Sequence, residues 1–137
     1  MKQEKYYLDQ DITVLYLTAS SFPEGIQQAH EKLHSLVPYP PERKFFGLSR
    51  KEEGIIRYQA AAEVITPDEA YKLGCPTLVI KKGFYLSVFL KDYQQNIQNI
   101  PNIFQALLAT PNLDPEGYCV EWYISQKDMR CMVRLIK

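Results

Sequence analysis

The hydrophobic pattern of this chain comes round twice, and that constrains its fold more than any motif does. Ile26, Ala29 and Leu33 fall at helical spacing, and Ile100, Ile103 and Leu107 repeat them 74 positions later. The same shift carries Ile12 and Leu15 onto Leu86 and Phe89, and Phe46 and Leu48 onto Val120 and Trp122. In the first copy, 12–18 (ITVLYLT), 44–49 (KFFGLS) and 55–64 (IIRYQAAAEV) read as strands. Between the first two, a helix starts after Ser20, Ser21 and Pro23, runs through Ile26, Ala29, His30, Leu33 and Val37, and stops at Pro38, Pro40 and Pro41. Residues 66–74 form a loop with one helical turn. The second copy supplies strands at 77–80 and 84–90, a helix at 100–109, and strands at 118–125 and 129–136. Strand, helix, strand, strand, used twice, predicts an α+β fold in a single domain spanning 1–137. It consists of tandem pseudo-symmetric β-α-β-β repeats, about 11–65 and about 76–137, forming a curved antiparallel sheet. Two helices share one face, with a ligand groove at the junction.

The repeat also decides how to read one tempting motif. His30-Glu31-Lys32-Leu33-His34 spells H-E-x-x-H, which on a helix sets two zinc ligands one turn apart beside a general base. The shift of 74 maps His30 onto Phe104 and His34 onto Leu108, so both positions belong on or beside the face that packs against the sheet. These are the only 2 histidines, so the third ligand of the longer H-E-x-x-H-x-x-G-x-x-H pattern is missing. No metal site is expected, and zinc proteolysis is set aside.

Charge and cysteine usage narrow the classes further. Sixteen basic residues balance 16 acidic ones, with no basic block, so the footprint of direct nucleic-acid binding is missing. Cys75, Cys119 and Cys131 are odd in number and form no C-x-x-C pair. They read as reduced thiols in the cytoplasm, and no cofactor is implied. MKQEKYYLDQD lacks an apolar signal region, and no apolar run is long enough to cross a bilayer. Aromatic residues make 12% of the chain, with 10 tyrosines, which suits either a ring-rich core or a ring-lined pocket.

Within 118–125, YCVEWYIS, alternation puts Val120, Trp122 and Ile124 on one face and Cys119, Glu121 and Tyr123 on the other. Because the first set matches Phe46 and Leu48, it is assigned to the helix side, and Glu121 to the open side with Phe45 and Gly47. On the residues alone this face reads first as solvated, where a lone glutamate is unremarkable. If it instead floors a cleft, a carboxylate among rings is desolvated and raised in pKa unless a cation pairs with it, which suits a flat ligand with a delocalised positive charge.

Several motifs resemble the GyrI-like small-molecule-binding family, the effector-binding domain of bacterial multidrug-responsive transcription activators. They are G-F-Y-L-S-V-F at 83–89, I-I-R-Y-Q-A-A-A-E-V around Tyr58, and E-W-Y-I-S…D-M-R-C-M-V-R-L from Glu121 onward. The chain departs from the family by ending its last strand V-R-L-I-K and by lacking a glycine in 91–99. The resemblance implies that Glu121 anchors the ligand, that Tyr123, Tyr58, Tyr85 and Phe45 line the site, and that Trp122 contributes less. It implies a stand-alone binder of small apolar, cationic molecules, acting in sequestration or in sensing with a separate regulatory protein. Two alternatives stand beside it: a hydrolase of reactive electrophiles using Glu121 and Tyr123, and a protein-interaction module of gyrase-inhibitor type.

Overall fold

A computed structural model describes residues 2–37 and 43–136. The proline-rich end expected for the first helix, 38–41, lies outside the described residues. The strands are β1 (Glu4–Leu8), β2 (Ile12–Thr18), β3 (Phe45–Glu52), β4 (Ile55–Glu63), β5 (Thr77–Ile80), β6 (Gly83–Leu90), β7 (Cys119–Tyr123) and β8 (Met129–Arg134). The helices are α1 (Ile26–Leu36), α2 (Glu69–Leu73) and α3 (Ile100–Leu108). The order β-α-β-β therefore occurs as β2-α1-β3-β4 and again as β6-α3-β7-β8. All strands join one antiparallel sheet in the order β1-β6-β8-β7-β3-β4-β2-β5.

The shift of 74 holds for the helices and the inner strands. Ala29 and Leu33 are buried, as are Ile103 and Leu107, and Gly47 pairs with Glu121 (121 − 47 = 74) across the β3/β7 junction. It does not hold for the outer strands. Phe46 pairs with Ala61 and Val120 with Met132, while Leu15 pairs with Ala62 and Leu86 with Val133. The matching offsets there are 71 (132 − 61 and 86 − 15). The β7–β8 hairpin is three residues shorter than its counterpart, and the β6–α3 connection is three residues longer. An odd slip reverses which face a strand residue occupies, so a uniform shift mismatches the outer strands.

The links between strands force the sheet to curl. β1 and β2 stand six strands apart, about 29 Å in a flat sheet. Yet only 9–11 join Leu8 to Ile12, a reach of at most about 14 Å. Lys81 and Lys82 impose the same closure between β5 and β6. The result is a half-barrel with its edges drawn together. Its inside is filled by Leu8, Ile12, Val14, Phe46, Leu48, Ala61, Ile80, Tyr85, Val120 and Met132. The helices lie outside. α1 packs Ala29 and Leu33 on Leu15, Ala60 and Ala62, where small side chains let it approach β4 closely. α3 packs Ile103, Phe104 and Leu107 on Val88, Cys131 and Val133. Burying Leu33 and Leu107 completely contributes about 2 kcal/mol each. α1 sits over β2/β4 and α3 over β6/β8, so the central strands β3 and β7 form the floor of a groove between them.

One expectation is reversed. Val120 and Trp122 face the barrel interior with Phe46 and Leu48, while Cys119, Glu121 and Tyr123 lie on the helix-bearing face. Both faces of β7 are covered, so alternation separates the two sets without telling which one meets the helices. The most apolar set went to the inside of the curl.

Candidate functional site

Glu121 lies on the groove floor, half-buried, with its β-ladder partner Gly47 beside it. Tyr58 reaches Glu121 from β4, crossing β3 to do so. Its phenol passes directly over Gly47. A Cβ at that glycine would collide with Tyr58 Oη and lie 2.7 Å from both Glu121 Oε1 and Tyr58 Cζ. The missing side chain is what lets the phenol and the carboxylate meet.

Four side chains then form one network. Tyr123 Oη donates to Glu121 Oε1 at 2.6 Å, and Tyr58 Oη donates to the same oxygen at 3.0 Å. The two phenol oxygens are 3.0 Å apart, and His30 Nε2 from α1 is 2.8 Å from Tyr58 Oη. Because Tyr58 has one proton and gives it to the carboxylate, His30 is assigned as the Nε2–H donor in this bond. Burial, reinforced by the charge of His34, lowers the His30 pKa to about 4, so the ring is neutral near pH 7. Burial raises the Glu121 pKa, against the opposing pull of the hydrogen bonds from Tyr123 and Tyr58. Tyr58 and Tyr123 are pushed up as well, first by burial and then by the Glu121 charge. The neighbouring thiols follow: burial, aided by Glu121, takes Cys119 up to about 11 and Cys131 up to about 12.

Among the described residues no lysine, arginine or histidine forms an ion pair with Glu121, and its Oε2 takes no hydrogen bond. Rings pack against its two phenol partners instead. Phe22 stacks on Tyr58 with centroids 6.1 Å apart, and Tyr93 tilts against Tyr123 at 5.6 Å. His30 meets Tyr123 edge-on at 5.3 Å. At the offset of 71, Phe22 and Tyr93 are counterparts, one from the loop that leads into each long helix.

Of the residues singled out in the sequence, Glu121, Tyr123 and Tyr58 come together. Phe45 shares their face but is buried beneath α1, its ring 4.6 Å from that of His34. Tyr85 and Trp122 do not belong to the groove. They point into the barrel, where Tyr85 Oη donates to the Lys81 carbonyl and Trp122 meets Tyr6 edge-on at 6.1 Å. The cause is strand parity: both lie on the face opposite Glu121. Sequence reasoning missed Phe22, Tyr93 and the network role of His30. Two signals pointed the right way: the apolar counterpart Phe104 turned His30 toward the sheet, and Gly47 stands opposite Glu121 at the repeat shift. Among the described residues, no group of three or more His, Cys, Asp or Glu side chains is placed to share a metal ion.

No protein-family model matches the chain, and no curated protein matches it in sequence. Solved structures share its fold. An integron cassette protein from Vibrio cholerae, VCH_CASS2, is 13% identical, with a TM-score of 0.71 over 97% of this chain and 95% of its own. SAV2435, solved bound to tetraphenylphosphonium, is 13% identical, with a TM-score of 0.64 over 98% of this chain and 94% of its own. A hydrolase from Listeria innocua is 9% identical, with a TM-score of 0.63 over 98% and 91%. No helix is long and apolar enough to cross a membrane among the described residues.

Proposed function

We propose that the groove between α1 and α3 binds small apolar organic cations, with Glu121 as their counter-ion, as a GyrI-like effector-binding domain does. The observation that carries this reading is the unpaired carboxylate. Glu121 is desolvated and raised in pKa, its two phenol partners pack against further aromatic rings, and among the described residues no cation pairs with it. A ligand with a delocalised positive charge supplies that cation, and its flat apolar surface meets ring faces that attract it by quadrupole and dispersion. The two phenols hold Oε1 and leave Oε2 without a hydrogen bond among the described residues, so the carboxylate is oriented before the ligand arrives. The fold shared with SAV2435, whose bound tetraphenylphosphonium is such a cation, supports the reading. Sequestration, or sensing through a separate regulatory protein, follows from binding without further chemistry.

The test is a fluorescence-polarisation titration with rhodamine 6G on wild type and Glu121→Gln. A charge-assisted contact is worth about 1.5–3 kcal/mol, so the variant should bind ten- to hundredfold more weakly. Equal affinities would refute the role of Glu121.

A second reading is hydrolysis of electrophilic small molecules. A carboxylate with raised proton affinity, held by the Tyr123 phenol, suits general acid–base work on water, and the likeness to the Listeria innocua hydrolase favours it. Turnover of an epoxide by wild type, lost in both Glu121→Gln and Tyr123→Phe, would establish it.

A further inference from the structure

The two ends of the groove differ, although the halves of the chain share one plan. In the second half, the loop after β6 is drawn onto the β7–β8 turn. Tyr93 N donates to the Lys127 carbonyl at 2.9 Å, and Asp92 N to Asp128 Oδ1 at 3.3 Å. In the first half, the loop after β2 is tied to β4 at its root, where Ala19 N donates to the Tyr58 carbonyl at 2.8 Å. The β3–β4 hairpin, three residues longer, extends beyond that bond. Between them lies a cavity of about 370 Å³, walled by Thr18–Phe22 on one side and Gly54–Tyr58 on the other.

Three large apolar side chains are left open here: Phe22 is 39% exposed, Ile55 61% and Ile56 44%. The one charged lining residue, Arg57, is engaged by Glu52 at 3.3 Å. Tyr58 belongs to both spaces, because its ring borders the cavity while its hydroxyl holds Glu121. An exposed apolar cluster beside a cavity of ligand size marks a binding surface.

We propose that this cavity is a subsite for a neutral alkyl arm carried by the cation that Glu121 binds. The inference rests on the groove reading above and adds the ligand's shape: a charged head at Glu121 and an apolar arm running past Phe22 toward Ile56. Phe22 and Ile56 are then specificity residues for the arm, and they take no part in holding the charge.

Isothermal titration with methyltriphenylphosphonium and decyltriphenylphosphonium tests this, since the two share a head and differ in the arm. Each buried methylene strengthens binding roughly fourfold, so the decyl compound should bind wild type at least tenfold more tightly. Ser21→Trp should fill the cavity from an exposed position, and Ile56→Ser should strip its apolar wall. In both variants the decyl advantage should fall below threefold while methyltriphenylphosphonium binds within twofold of wild type, which also reports an intact fold. A decyl advantage that is absent in wild type, or that survives both substitutions, overturns the subsite and leaves the groove reading standing. If neither phosphonium binds, or Glu121→Gln leaves both affinities unchanged, the groove reading fails and the subsite with it.

Discussion

Gly47→Ala is the sharpest perturbation of this architecture, because it adds one methyl group at the point where three side chains converge. The new Cβ would collide with Tyr58 Oη and lie 2.7 Å from Glu121 Oε1 and from Tyr58 Cζ, where real Cβ contacts do not fall below 3.0 Å. None of the neighbours has slack. The Tyr58 side chain is 1% exposed, its oxygen is held by His30, Glu121 and Tyr123, and β3 is laddered on both sides. Tyr58 must therefore lift off the floor. Overpacking costs about 1–3 kcal/mol, and the lost hydrogen bond to a charged group about 1.5–3 kcal/mol. Against this stands a gain of about 0.5–1 kcal/mol from replacing glycine within a strand. The net loss should be about 2–4 kcal/mol, or about 6–12 °C in Tm for a chain of this size. Urea unfolding measures it, with an unchanged m-value showing that the same transition is compared. In a Tyr58→Phe background the collision with Oη is gone, and the alanine penalty should shrink by at least about 1 kcal/mol. A Gly47→Ala protein within about 0.5 kcal/mol of wild type, or the same penalty in both backgrounds, would refute the placement of Tyr58 across β3.

Glu121→Gln should stabilise the free protein at pH 7, because the raised pKa means that the ionised carboxylate opposes folding there; urea midpoints should show the gain shrinking as pH falls toward 4.5, where the unfolded carboxyl is itself half-protonated. His30 acts with the opposite sign: with its pKa lowered from 6.5 to about 4, its contribution is full above pH 6.5 and is lost as pH falls through 4. His30→Phe should therefore lose about 2–3 kcal/mol less stability than wild type between pH 7 and pH 4, read by chemical denaturation at both values. Glu69→Ala should destabilise by about 3–5 kcal/mol in thermal unfolding. Arg43, with its side chain 4% exposed, is held by both Glu69 oxygens at 2.8 and 2.9 Å and would be left buried without its counter-charge.

The helices and inner strands were legible because their apolar residues recur at spacings that only one periodicity fits: Ala29 and Leu33 over the sheet, Gly47 facing Glu121. β1 was not legible. Glu4–Leu8 is mostly exposed, and its pairing with β6 is decided by residues 75 or more positions away. The same limit explains the misplacement of Trp122 and Tyr85. Alternation sorts residues into two faces, but which face lies inside the curl depends on the short links that draw the sheet edges together. Glu121 stood out because a carboxylate in an aromatic strand conflicts with burial. Tyr58 and Tyr123 were reached only through the family resemblance, and His30 and Tyr93 were not placed at the site at all, because they look like ordinary core residues until the topology brings them to this network.

The outermost strands carry a consequence of their own. β1 precedes the first β-α-β-β unit yet pairs with β6 of the second, while β5 precedes the second unit and pairs with β2 of the first. Each half thus lends its leading strand to the other, and neither half contains all the strands of its own side of the sheet. Cut between α2 and β5, the chain would yield two fragments that are complementary rather than autonomous, each needing the other to finish its edge. In polymer terms the molecule is an interlocked pair on one backbone. The same exchange ties the two groove walls together through shared strands, which opposes hinging of one half on the other.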